Sequence, residues 1–175
     1  MMKNCKKDNC SNSVFSKGLC KFHQPKKIKK RLDYQTDDLS ILNTTDLKKL
    51  ADYWLRQFLL FTAEKRNGKI YCPIKKQWYS EDKIQVAHFC DRAFMCTRYS
   101  LDNCHLISES SNSWDAQIPK EDYKSKHHYD YEVWLKEKIG EKKFEENLQK
   151  SKEFCTFAKE DYIEIIKQFK NGCKR

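Results

Sequence analysis

Five polar residues near the middle of the chain have the types and spacing that phosphodiester hydrolysis requires. His88, Asn103 and Asn112 stand 15 and then nine residues apart, and Arg92 and Arg98 fall between the first two. A neutral imidazole, with an unperturbed pKa of about 6.5, can take a proton from an attacking water at neutral pH. An asparagine in the loop between them can fix that histidine through its amide, and the arginines can grip the flanking phosphates. A divalent ion held opposite would neutralise charge on the phosphate and on the departing oxygen. Hard cations such as Mg²⁺ or Mn²⁺ prefer oxygen donors, for which Asn112 and Asp115 are the first candidates, with Asp91 and Glu109 behind them and His105 as a nitrogen donor. Asp115 has a plainer alternative as a surface carboxylate paired with a lysine.

A second set of residues suits a different metal. Cys5, Cys10, Cys20 and His23 follow the spacing Cys-x4-Cys-x9-Cys-x2-His, four soft ligands in two close pairs that can surround one tetrahedral Zn²⁺. Such an ion would supply the folding energy that so short and polar a segment cannot gain from burial. The alternative is a tail of ordinary exposed thiols. Nine cysteines in all, with no secretion signal at the start, point to ligands or buried apolar groups rather than a disulfide framework. Cys90, Cys96 and Cys104 are read as interior fill, with a replacement metal site beside His105 as the other option. His127 and His128 are read as loop or surface residues, or as phosphate contacts.

The charge is concentrated beside the cysteines. Ten lysines and arginines against the single acid Asp8 leave nine of the ten net positive charges within residues 1–31. Lys26, Lys27, Lys29, Lys30 and Arg31 make the densest run, and an arm of that kind neutralises phosphates and releases their counterions. DNA is therefore the expected partner. A membrane is not, because no apolar face accompanies the lysines and no apolar run reaches the roughly 20 residues that span a bilayer. With no hydrophobic signal segment either, the chain is expected to be intracellular.

The elements that must position these groups are partly visible. Residues 1–31 read as a basic, cysteine-rich knuckle, 32–44 as a linker and 45–175 as the main domain. Within the last, Leu47, Leu50, Ala51, Trp54, Leu55, Phe58, Leu59 and Thr62 recur at helical steps, predicting a helix from Thr45 to about Arg66, capped by Thr44 or Thr45 and ended by Gly68. From Ile70 to Phe89 the pattern shortens to two strands joined by a polar turn. A short helix is expected from Asn112 to Gln117, another capped by Asp130 and ending at Gly140, and a last one over Glu141–Phe169, broken near Cys155. The fold class is α+β.

At His88, Asn103 and Asn112 the chain resembles the HNH, or ββα-metal, nucleases in their His-Asn-Asn form. The words AHF-x-x-R (Ala87–Arg92), TRY-x-x-DN-x-H (Thr97–His105), SSN (Ser110–Asn112) and YEVWLKEKIGEKKFEE (Tyr131–Glu146) resemble the phage recombination proteins called NinG or Rap. The resemblance extends over nearly the whole chain. It implies an HNH core at about residues 70–120 flanked by helices, an N-terminal zinc knuckle, a helical tail at 130–170, and metal-dependent cutting of branched DNA, including Holliday junctions and D-loops, during phage recombination. On that reading the cellular site is the cytoplasm of an infected bacterial host. His88 is then the general base, with Asn103, Asn112 and Arg92 beside it and Arg98 on the DNA. Two copies would let paired centres meet the symmetrical strands of a four-way junction, so a homodimer is one expected arrangement.

Two departures bear on activity. Relatives carry two C-x-x-C pairs for a structural zinc around the hairpin, where this chain has Cys72-Pro73-Ile74-Lys75 and Ser108-Glu109-Ser110-Ser111. One thiolate of four cannot hold zinc there, leaving packing by Trp78, Tyr79, Phe89, Phe94 and Trp114 to support the hairpin. The residue before the histidine, an acidic ligand in many HNH enzymes, is Ala87. The alternative function is accordingly a DNA-binding recombination accessory protein with a degenerate HNH centre.

Overall fold

The protein is described by a computed structural model covering residues 4–7, 9–14, 16–23, 32–114 and 126–174. It divides into two units, Met1–Asp33 and Tyr34–Arg175. The described residues form an α+β structure with five helices and two small antiparallel sheets. Among them, no helix is long and apolar enough to cross a membrane.

The described residues of the smaller unit have almost no regular structure. Its chain folds back through two isolated bridges, Asn4 with Ser13 and Ser16 with Leu19. Gly18 sits at φ +77°, and the atoms nearest an added Cβ belong to the flexible Lys6 side chain, so the turn needs glycine's conformational freedom rather than its lack of bulk.

In the larger unit α1 (Thr44–Thr62) is the spine. Asn43 caps it rather than Thr44 or Thr45: the Asn43 side chain accepts from the Asp46 N–H at 3.0 Å while its amide donates to the Asp46 carboxylate. The helix ends four residues before the sequence pattern suggests. Lys65–Arg66 form the strand β1, turned onto β2 (Lys69–Cys72) by Asn67 and Gly68, both with positive φ. Asn-Gly with both residues left-handed is the two-residue hairpin turn, so Gly68 starts a strand pair rather than ending a helix.

β2 pairs in turn with β3 (Gln77–Tyr79). The strand that carries the histidine, β4 (Ile84–His88), belongs to a separate sheet and pairs with β5 (Cys104–Ser108), with Ala87 opposite His105 and His88 opposite Cys104. The expected pair of strands over Ile70–Phe89 is therefore three strands in two sheets. α2 (Glu109–Trp114) follows β5 directly and packs on both strands of that hairpin. It starts three residues ahead of the predicted helix, and that helix's expected end near Pro119 lies outside the described residues.

α3 (Lys126–Ile139) begins before Asp130, which thus lies inside the helix instead of capping it. Gly140, at φ +83°, forms the corner into α4 (Glu141–Ser151), and the expected break near Cys155 separates α4 from α5 (Lys159–Gly172).

Two apolar clusters flank the β4–β5 hairpin. Leu47, Leu50, Ala51, Trp54 and Leu55 of α1 pack against Tyr162, Ile166 and Phe169 of α5, with Cys104 reaching in from β5. Ile70, Cys72, Ile84, Ala87, Ile107, Tyr131, Leu135 and Phe144 form the other cluster. Each buried Leu, Ile or Phe contributes roughly 1.5–3 kcal/mol, so the hairpin is fixed from both sides. Residues 34–43 join this unit instead of serving as a free linker: Leu39 is buried in the first cluster and Asp37 accepts from Lys170 at 2.6 Å.

Candidate functional site

In the smaller unit Cys5, Cys10, Cys20 and His23 offer four ligand atoms that all lie within 4.8 Å of one another. Cys10 and Cys20 sulfurs are 3.8 Å apart, and His23 Nδ1 is 3.5 Å from the Cys5 sulfur and 3.4 Å from that of Cys20. A tetrahedral zinc with ordinary bond lengths separates two sulfurs by about 3.8 Å and a sulfur from an imidazole nitrogen by about 3.6 Å. Three of the separations match those values and the others stay within 4.8 Å, so the cluster can close on such an ion with small side-chain shifts. Burial opposes ionisation of Cys5, but hydrogen bonds from the backbone N–H groups of Cys20 and Lys7, with the His23 and Cys20 side chains, bring its pKa down to about 6. A thiol so placed is prepared to bind metal as thiolate.

In the larger unit His88 stands at the end of β4, on the rim of an open cleft of about 220 Å³ lined also by Asp52, Arg56, Gln85, Val86 and Arg92. Its Nε2 is 3.0 Å from the main-chain carbonyl of Arg98. A carbonyl only accepts, so in the neutral ring Nε2 carries the proton and Nδ1 keeps the lone pair. Burial lowers the His88 pKa, the Arg98 carbonyl raises it, the positive charges of Arg98 and Arg92 lower it and Asp52 raises it; the net shift is downward. His88 is thus a neutral base at physiological pH.

Asn103 is fully buried, and its amide closes the loop between β4 and β5. Its side-chain oxygen accepts from the Cys90 N–H at 2.6 Å, and its NH₂ donates to the carbonyls of Cys90 and Thr97, each at 3.1 Å. Its contact with the histidine is therefore indirect, through the loop that carries the Arg98 carbonyl. Asn112, in α2, donates to the Gln85 side chain at 2.9 Å. Gln85 lines the same cleft as His88, so Asn112 reaches the cleft through this one neighbour.

The two arginines have different roles. Arg92 is exposed over the cleft, 3.6 Å from Asp52, and is free to meet a phosphate. Arg98 is not a surface grip. It is 2% exposed, pairs with both Asp52 oxygens at 2.7 and 3.0 Å, and donates to the Arg92 carbonyl at 2.5 Å. Desolvation favours such burial only when the guanidinium is fully paired, which leaves it no donor directed at solvent DNA. Asp52 was hidden in the sequence inside an apolar helix. The one available signal is its polarity on a turn that also presents Arg56.

Donors for a catalytic Mg²⁺ or Mn²⁺ are sparse among the described residues. Ala87 offers none, Asn112 keeps only its amide oxygen, and Asp115 lies outside the described residues. His105 is buried with Nδ1 at 3.0 Å from the Tyr131 hydroxyl and its ring edge-on to Trp134, and burial pushes its pKa down to about 3. A ring enclosed in this way serves packing. The knuckle is the one group of three or more clustered His, Cys, Asp or Glu side chains among the described residues. The donors described near His88 therefore do not by themselves fit a hard divalent ion.

Cys90 and Cys104 are buried, as expected of interior thiols, and burial raises the Cys104 pKa to about 12. Cys72 and the serines after β5 come together: the Cys72 thiol accepts from the Ser108 N–H at 3.2 Å, and the Ser108 hydroxyl meets those of Ser110 and Ser111 at 3.2 and 2.9 Å. Phe89 packs between Tyr131 and Phe144, whereas Phe94 is half exposed and takes no part in holding the hairpin. Lys26, Lys27, Lys29, Lys30 and Arg31, and the side chains of Trp114, His127 and His128, lie outside what is described. A larger cleft of about 460 Å³, bordered by Tyr71, His105, Trp134 and Lys138, contains none of His88, Asn103, Asn112 and Arg92. Comparison of the chain with protein-family models, curated proteins and solved structures returns no match.

Proposed function

We propose that the protein is an HNH-type endonuclease of the NinG/Rap kind, hydrolysing phosphodiester bonds in branched DNA such as Holliday junctions and D-loops. The observation that carries this reading is the β4–β5–α2 hairpin and helix, with His88 at the strand end and its Nε2 occupied by the Arg98 carbonyl. That arrangement leaves Nδ1 as the proton acceptor for an attacking water, and Arg92 stands beside it where a phosphate would lie. Asn103 holds the loop, and Asn112 supports the cleft through Gln85. The convergence of Cys72, Ser108 and Ser111 at the place where relatives bind zinc adds support to the same register. Zinc in the knuckle would order the segment that precedes the basic run, which meets the DNA backbone.

This reading calls for a divalent ion such as Mg²⁺ or Mn²⁺, for which the described donors near His88 do not suffice; Asp115 is the further oxygen donor that the sequence offers beside Asn112. A second reading, a DNA-binding accessory protein that does not cut, is favoured by Ala87, which is buried and offers no ligand beside His88. Labelled four-way junctions, flaps and duplexes incubated with the full chain and Mg²⁺ or Mn²⁺ decide between them. Nicking that is lost in His88→Ala with junction binding retained supports the nuclease. Binding without cleavage of any substrate supports the accessory protein.

A further inference from the structure

We propose that Asp52 is a positioning residue of the His88 centre, holding Arg98 so that its carbonyl fixes the imidazole and holding Arg92 in reserve for the phosphate. The proposal rests on reading His88 as the proton acceptor. No part of the HNH resemblance includes Asp52, which comes from the third turn of α1, far from the hairpin in sequence.

The geometry forms a continuous chain. Asp52 Oδ1 accepts from Arg98 Nε at 3.3 Å and from Nη2 at 3.0 Å, Asp52 Oδ2 accepts from Nη2 at 2.7 Å, and Arg98 Nη1 donates to the Arg92 carbonyl at 2.5 Å. The guanidinium is thereby held by a helix on one side and by its own loop on the other. Its residue's carbonyl then accepts from His88 Nε2 and from the Cys104 thiol, each at 3.0 Å. Without the Asp52 charge, Arg98 would be an uncompensated cation at 2% exposure, and the loop would have to open to hydrate it. The His88 tautomer would then lose the acceptor that sets it.

Arg92 is held more loosely. At 3.6 Å its contact with Asp52 is a screened pair on an exposed side chain, so a phosphate can replace the carboxylate at small cost while Arg98 keeps its own tighter pair. Asp52 thus separates one fixed cation from one available cation with a single carboxylate. The charged and titratable groups around His88 are Asp52 and Arg56 from α1, Arg92 and Arg98 from its own loop, and His105 from β5.

The test uses the full chain with Asp52→Asn, which keeps the shape and removes the charge, and Arg98→Lys, which keeps the charge and removes the fork. Ring ¹⁵N spectra of His88 should show a single Nε2–H tautomer in the parent and a mixture in either variant. The His88 titration midpoint should move down in Asp52→Asn, because the one negative charge facing it is gone. Cleavage of a four-way junction should fall ~10–100-fold in kcat with little change in KM, as loss of an orienting partner does. A folded variant with an unchanged tautomer and midpoint overturns the proposal. If the parent cuts nothing, the nuclease reading fails by itself, and the His88 spectra still decide for or against Asp52.

Discussion

The Cys72 thiol accepts the main-chain N–H of Ser108 at 3.2 Å, and the Ser108 hydroxyl meets that of Ser111 at 2.9 Å. Thiol and hydroxyls here share a buried corner where four thiolates would be needed to hold a zinc ion. Restoring three of them, as Lys75→Cys, Ser108→Cys and Ser111→Cys together, should create a second zinc site. Elemental analysis is expected to give two zinc ions per chain where the parent gives one. A triple variant that folds and still binds only one would show that this corner does not have the geometry of a four-thiolate zinc site.

The depressed pKa of His88 fixes the direction of a pH profile. Since burial and the neighbouring arginines favour the neutral ring, the basic form already dominates at pH 7. Cleavage should be flat from neutral to mildly alkaline pH and should fall only as pH drops through a midpoint below 6.5. A midpoint at or above that value would remove His88 as the titrating base. His88→Ala should lose roughly 10²–10⁴-fold in rate, the usual range for a positioned base.

His105 couples stability to acid. Its folded pKa of about 3 lies below the unfolded value of 6.5, so the unfolded chain binds the extra proton first and stability falls as pH drops from about 6.5 towards 3. At 3% exposure the full loss is on the order of 5 kcal/mol. Urea unfolding of the parent and His105→Gln should converge as the pH is lowered across that window. Parallel curves at every pH would show that the ring binds its proton equally well in the folded and unfolded chains.

The two arginines should separate cleanly in mutagenesis. Arg98→Ala removes the buried guanidinium that ties α1 to the loop, leaves a part-exposed Asp52 with Arg92 still beside it, and is expected to cost about 1.5–3 kcal/mol in unfolding free energy. Arg92→Ala removes an exposed side chain and should leave the melting temperature unchanged while weakening junction binding. Thermal melts beside a gel-shift titration check both, and equal melting temperatures for the two variants would contradict the assignment.

Chelation should act on the knuckle alone. Removing metal from the parent should expose the segment around Cys5–His23 to trypsin while the melt of the larger unit stays where it was. Cys20→Ser should reproduce the effect in the presence of zinc. Resistance of that segment to trypsin after complete metal removal would assign its order to something other than zinc.

The sequence was most readable where a single rule acts alone. The repeat from Leu47 to Thr62 fixes α1, and the Cys5–His23 spacing foretells a cluster that closes to within 4.8 Å. Competing local signals caused the misreadings. Asn67-Gly68 marks a hairpin as strongly as a lone glycine marks a helix end, and the left-handed backbone at both residues settles it as a turn. Arg98 was taken for a phosphate ligand because charge usually means exposure, and its partner lies 46 residues earlier in a helix whose apolar face gives no hint of it. Only tertiary structure brings that pair together. The same limit hid Gln85 as the link between Asn112 and the cleft.

The Asn103 amide ties Cys90 to Thr97 from within, so the six residues between them leave the framework and return to it at fixed points. That short excursion can therefore accept substitutions at its exposed positions Asp91, Ala93 and Phe94. Arg92, whose carbonyl receives Arg98, Met95, which packs on the first apolar cluster, and Cys96, whose thiol donates to the Glu153 carbonyl, would have to keep their places. Variation in what such a protein touches could accumulate there while the imidazole next to it stays still.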